Sequence, residues 1–125
     1  MNIEQITSQL LNNSKRIRVL VEGVPRDQAR WKPESDSWSI LEVVNHLYDE
    51  EIEDFPKRLD IILNQPDQSW TPIDPERWVT ERQYNQRKLK ASLKNFLQAR
   101  EKSLIVELEA TAVTGRKRPC IPYNC

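Results

Sequence analysis

The sequence predicts an all-α protein, an antiparallel bundle built from three long helices. Two observations carry that class. Apolar residues recur at helical spacing over three long stretches, and no segment alternates apolar and polar residues as a half-buried strand does. Between the stretches lie glycine and prolines, which end helices rather than continue them.

The first helix is expected over residues 2–22. Ile3, Ile6, Leu10, Ile17, Leu20 and Val21 form its stripe, Asn2 can cap the start, and Gly23 can end it in the left-handed conformation. Pro25 can open one further turn, "PRDQAR". "WKPESDS" reads as a loop, because Pro33 biases Lys32 away from helix. The second helix starts at a capping box: Ser39 stands three residues before Glu42, so each side chain can satisfy the other's backbone N–H. It should run to about Leu63, with Leu41, Val44, Tyr48, Ile52, Phe55, Leu59 and Ile62 on one face. Pro56 falls inside this pattern and should kink it.

Residues 64–85 read as irregular, with Pro66, Pro72 and Pro75; the stretch carries Trp70, Trp78 and Tyr84 and should pack across one end of the bundle, with its last part already helical. A third helix is expected over 86–110, with Leu89, Leu93, Phe96, Leu97, Leu104 and Leu108 as its stripe. The division is therefore a bundle domain over 1–110 and an irregular C-terminal tail over 111–125.

Composition excludes several functions. Nineteen Lys and Arg balance nineteen Asp and Glu, so no global field gathers phosphates and no nucleic-acid partner is expected. The basic run "GRKR" at Gly115–Arg118 reads as a solubilising feature. No apolar run reaches the ~18 residues of a membrane span, so no membrane partner is expected. "MNIEQITSQLLNN" lacks the basic start and apolar run of a signal peptide, so a cytoplasmic location is expected. Cys120 and Cys125 form a lone C-x4-C pair, poor spacing for zinc, and read as reduced thiols.

The candidate chemistry lies in "WSILEVVNHLYDEE". His46 is the only histidine of the chain, and Glu50 follows it by one helical turn. Side chains four apart share a helix face, so the two can reach one metal ion, with Glu53 or Glu42 as possible assistants. A catalytic zinc takes three protein ligands, so two on one helix make an incomplete site. The plainer reading of His46 is a helix-flank histidine making a hydrogen bond. Trp31 and Trp38 read chiefly as packing residues, with substrate stacking the sharper alternative. The acidic cluster Asp49, Glu50, Glu51, Glu53 and Asp54 reads mostly as a solvated face, partly paired with Lys57 and Arg58.

The stretch with Trp31, Pro33, Trp38, Ser39, Ile40, Glu42, Val43, His46 and Leu47 resembles the DinB-like family, the DinB and YfiT-like metalloenzymes. The likeness continues through "EIEDFPKRL", "WTPIDPERWV", "YN" and "SLKNFLQARE" and covers about residues 1–108. It implies a four-helix bundle in an up-up-down-down order, usually dimeric, with zinc or nickel held by three histidines and acting on a thiol or another small molecule as an S-transferase or hydrolase. His46 matches the first of those histidines. The other two belong to a fourth helix, and "RPCIPYNC" stands where the family approaches it. The chain thus resembles a truncated member, with the fourth helix missing or replaced by the tail and the metal site incomplete. Loss of that helix leaves an apolar strip, so a homodimer is expected, with Leu93, Leu97, Leu104 and Leu108 as candidate contacts. The alternative is a non-catalytic bundle that acts through self-association.

Overall fold

The computed structural model describes residues 2–70 and 72–114, with side chains described as far as Ile105. The described elements are α1 (Ile3–Val21), α2 (Arg26–Arg30), α3 (Ile40–Asp49), a π-helical turn (Glu50–Asp54), α4 (Phe55–Asn64), α5 (Pro75–Glu81), a 3-10 turn (Tyr84–Gln86) and α6 (Leu89–Thr114). The described residues are helical with no strand, as the periodicity predicted.

Local chemistry sets the helix starts. Asn2 caps α1 by accepting the Gln5 N–H at 2.9 Å, and the Gln5 side chain accepts the Asn2 N–H at 3.0 Å. Gly23 follows α1 at φ 81°, the left-handed conformation expected of it. Ser39 caps α3: its hydroxyl accepts the Glu42 N–H at 3.1 Å, and the Glu42 carboxylate accepts the Ser39 N–H at 2.9 Å. Asp74 caps α5 by accepting the Arg77 N–H at 3.1 Å, so the last part of the 64–85 stretch is helical, as expected. Gln83, at φ 51°, turns the chain from α5 into the 3-10 turn.

The expected second helix is continuous in direction but not in kind. Pro56 has no N–H to give the Ile52 carbonyl. The chain widens just ahead of it into the π-turn, in which the Phe55 N–H bonds to the Glu50 carbonyl. A π-turn adds a residue to the turn, so later side chains are rotated relative to an unbroken α-helix. The predicted stripe does not survive it. Leu41 and Val44 are buried, but Ile52 and Phe55 are 44% and 48% exposed. Glu51 and Asp54 within the turn and Ile61 beyond it are the buried positions.

The core holds Val21, Val44, Leu93 and Phe96, with Ile17, Ile40, Leu47, Tyr48, Leu89 and Leu97 packed against it. Helix directions follow from two contacts. Val21 and Val44 meet Leu93 and Phe96 at one level. At another, Arg100 bonds to the Leu10 carbonyl and to Glu51. Moving up α6 therefore means moving down α1 and up α3 and the π-turn. The order is up-down-down, not the up-up-down-down start that the resemblance implied. A short link reverses the chain after α1, whereas residues 65–88 carry it back along the bundle, so α6 runs parallel to α3.

Two expectations about α6 change. It continues to Thr114, past the boundary drawn at 110, and the rest of the expected tail lies outside the described residues. Leu93 and Leu104 are buried and Leu97 packs on the core, so they are occupied within their own chain rather than forming an open strip. The Leu108 side chain lies outside the described ones. The exposed large apolar side chains include Val19 and Leu20 on α1, Ile52, Phe55 and Leu63 along the π-turn and α4, and Ile105 on α6. Among the described residues, no helix is long and apolar enough to cross a membrane.

Candidate metal centre

His46 stands two turns into α3, on a helix whose start is set by the Ser39–Glu42 box. The cap is itself anchored to a segment distant in the chain, because the Ser39 hydroxyl donates to Asn85 Oδ1 at 2.6 Å. Asn45, beside His46, is fully buried and donates to the Leu41 carbonyl and to Ser92 Oγ, while its oxygen accepts from Arg87. A satisfied polar core thus fixes the backbone that carries the histidine.

The i,i+4 spacing does bring His46 and Glu50 together. Nε2 of His46 lies 3.6 Å from Oε1 of Glu50, with the side chains 20% and 15% exposed. That distance is beyond a hydrogen bond. Nδ1 is buried and has no hydrogen-bond partner. The ring meets the Trp38 indole edge to face, with centroids 5.0 Å apart and planes at 69°. Trp31, the other tryptophan of the motif, is 66% exposed.

Burial lowers the His46 pKa, against the opposing charges of Asp49 and Asp54, so its neutral, metal-competent form is favoured. Burial raises Glu50 to about 7, helped by its hydrogen bond to Asp54 and the charge of Asp54, with Arg58 opposing. Near neutral pH the donor pair is therefore a neutral imidazole beside a carboxyl group that still holds much of its proton.

The other carboxylates are engaged elsewhere. Glu42 serves the cap and pairs with Lys32 at 2.8 Å. Asp49 accepts from the Tyr84 hydroxyl and from Arg82, the latter at 2.7 Å. Burial and the bond to Asp49 raise the Tyr84 phenol above its ordinary value. Glu53 pairs with Arg82 at 2.8 Å. Desolvation works against the charge of Arg82, but its bonds to Glu53 and Asp49 win and raise its pKa. Asp54 pairs with Arg58 at 2.8 Å, as expected, and Glu51 pairs with Arg100 at 2.5 Å. Neither Glu53 nor Glu42 joins the His46–Glu50 pair, and the acidic cluster is not chiefly a solvated face: Asp49, Glu51 and Asp54 are buried. Each of those three has an arginine partner.

Among the described residues, no three His, Cys, Asp or Glu side chains are placed to hold a metal ion. The chain's 125 residues contain one histidine, so a three-histidine set cannot be assembled from them. The residues fit half of a centre: two donors on one face, one a desolvated neutral imidazole. They do not fit the three-ligand set of a catalytic zinc. Beside the π-turn, an open cleft of about 380 Å³ lies against α5, with Glu53, Asp54, Lys57, Ile73, Arg77 and Trp78 in its walls.

A family model described as the DinB superfamily matches residues 9–122. The chain belongs to the DinB superfamily. No curated protein and no solved structure matches it. The superfamily match extends beyond the residues 1–108 of the resemblance and takes in part of the stretch read as a tail.

Sequence reasoning missed the residues that tie this DinB bundle together around the pair. Arg82 and Tyr84 come from the segment read as irregular, where no periodicity flags them, and Arg87 from the expected start of the third helix, which is instead the turn ahead of α6. Arg100 could have been found. It continues the Leu93, Leu97, Leu104 stripe at helical spacing, and a charge in a core position needs a buried partner.

Proposed function

We propose that this DinB-superfamily chain is a divalent-metal protein whose own contribution to the centre is a weak two-donor half site, His46 and Glu50. On this reading, chemistry of the thiol S-transferase or hydrolase type arises only where further donors complete the set. The observation that carries it is the pairing itself: a desolvated imidazole whose Nε2 faces a carboxyl group 3.6 Å away, on a helix held rigid by its cap. Zinc or nickel suits an imidazole and carboxylate set, and a complete centre would polarise a bound water or thiol. The cleft beside Asp54 supports a small-molecule substrate, since Asp54 is also the group bonded to Glu50.

Calorimetric titration with Ni²⁺ at neutral pH tests this reading. Weak binding that is lost in both His46→Ala and Glu50→Gln is the expected result. Tight stoichiometric binding, or none at a large excess of metal, overturns the half site.

A second reading is favoured by the exposed apolar face of Ile52, Phe55 and Leu63. In it the chain is non-catalytic and acts through self-association, with that face, rather than the α6 leucines, as the homodimer contact. Sedimentation equilibrium over a wide concentration range would show a dimer that Phe55→Glu weakens. A Phe55→Glu variant that dimerises like the wild type would remove this contact from consideration.

A further inference from the structure

A histidine that ligates a metal through one ring nitrogen usually has the other bonded to a carboxylate or carbonyl, which sets the tautomer and the rotation of the ring. His46 lacks that anchor: Nδ1 is buried with no hydrogen-bond partner. The nearby carboxylates that could serve are already held, Asp49 by Tyr84 and Arg82 and Asp54 by Arg58. Nothing polar therefore fixes the imidazole about its second side-chain torsion, which is intrinsically broad.

The indole of Trp38 does touch the ring. Its edge-to-face contact, with centroids 5.0 Å apart at 69°, lies in the favourable range for aromatic pairs. Trp38 is itself well placed to act as a fixed wall. It immediately precedes Ser39, whose N–H and hydroxyl are both locked, to Glu42 and to Asn85. The indole therefore leaves a backbone that cannot easily swing.

We propose that Trp38 is the positioning residue for His46, replacing the usual polar anchor with an aromatic contact that keeps Nε2 turned toward Glu50. The metal-binding part of this inference rests on the half-site reading above; the ring-orientation part does not. Replacing the indole by an alkyl group frees the ring while still filling space, whereas phenylalanine retains an aromatic surface.

The test compares Trp38→Leu and Trp38→Phe with the wild type by two measurements. The first is Ni²⁺ affinity at a temperature where circular dichroism shows each protein folded. An aromatic pair of this kind corresponds to a roughly two- to ten-fold change in affinity. Trp38→Leu is expected to bind that much more weakly, and Trp38→Phe to stay close to wild type. The second is metal-free: nuclear Overhauser contacts from the imidazole ring protons to the Glu50 side chain, which need no histidine assignment because the chain has one histidine. The wild type and Trp38→Phe should give one defined set of contacts, and Trp38→Leu an averaged, weaker set. If the wild type binds no Ni²⁺, the half-site reading fails, and the Overhauser comparison alone decides the role of Trp38. Unchanged contacts in Trp38→Leu overturn the proposal.

Discussion

Glu50→Gln should make the metal-free protein more stable at alkaline pH and leave it unchanged in acid. The carboxyl group is raised from 4.5 to about 7, by burial first and then by Asp54. Between those values the unfolded chain releases the Glu50 proton while the folded chain keeps it. The unfolded state then binds fewer protons, so stability falls as pH rises through the window, and the whole loss is present above pH 7. At about 1.4 kcal/mol per tenfold change in proton affinity the upper bound is ~3 kcal/mol. Solvent reaches the side chain and screens part of this, so we expect about 1–2 kcal/mol. Glutamine is neutral at every pH and can still donate to Asp54, so it copies the protonated form. Urea melts followed by circular dichroism, in chelator at pH 4, 6 and 8, would measure the effect. The two proteins should coincide at pH 4 and separate progressively, with the variant the more stable. A difference that does not change with pH, or a less stable variant at pH 8, would refute the account of Glu50. The sign matters for function as well as stability, since groups kept at a cost to the fold are characteristic of working sites.

Arg100 holds Glu51 inside the bundle through Nε at 2.8 Å and Nη2 at 2.5 Å, and also bonds to the Leu10 carbonyl at 3.0 Å. Arg100→Met strands a buried carboxylate and should cost about 3–5 kcal/mol, whereas the double variant Glu51→Leu with Arg100→Met should regain most of it; denaturant melts that show equal losses for both would contradict a buried ion pair. Ser39→Ala removes the cap and the bond to Asn85 together and should cost about 2 kcal/mol, measurable as a lower urea midpoint with an unchanged slope. A loss below a few tenths of a kcal/mol would mean that water replaces the hydroxyl at both partners.

Local signals were readable directly in the chain. Asn2 and Ser39 mark helix starts and Gly23 marks an end, because capping and left-handed glycine depend on neighbours a few residues away. The nearness of His46 and Glu50 was legible for the same reason, since an i,i+4 pair shares a face of any α-helix. The family motif lies within that same local stretch, so the superfamily was also legible.

Tertiary structure decided what depends on distant partners. Pro56 announces a disturbance in the second helix, but not that the chain absorbs it as a π-turn before the proline and so exposes Ile52 and Phe55. Glu51 read as a surface charge until Arg100 of α6 paired with it across the bundle, whereas the Asp54–Arg58 pair, four residues apart, was already legible. Glu53 looked available for a metal until Arg82 engaged it, and Glu42, already expected in the cap, is further held by Lys32. Leu93 and Leu97 looked like part of an open strip until the packing of α6 on α1 and α3 took them into the core. In each case the sequence determined which groups were present and how they were spaced along one helix. Which group faced which was set by packing between helices, where burial penalises an unpaired charge and so selects partners far apart in the chain.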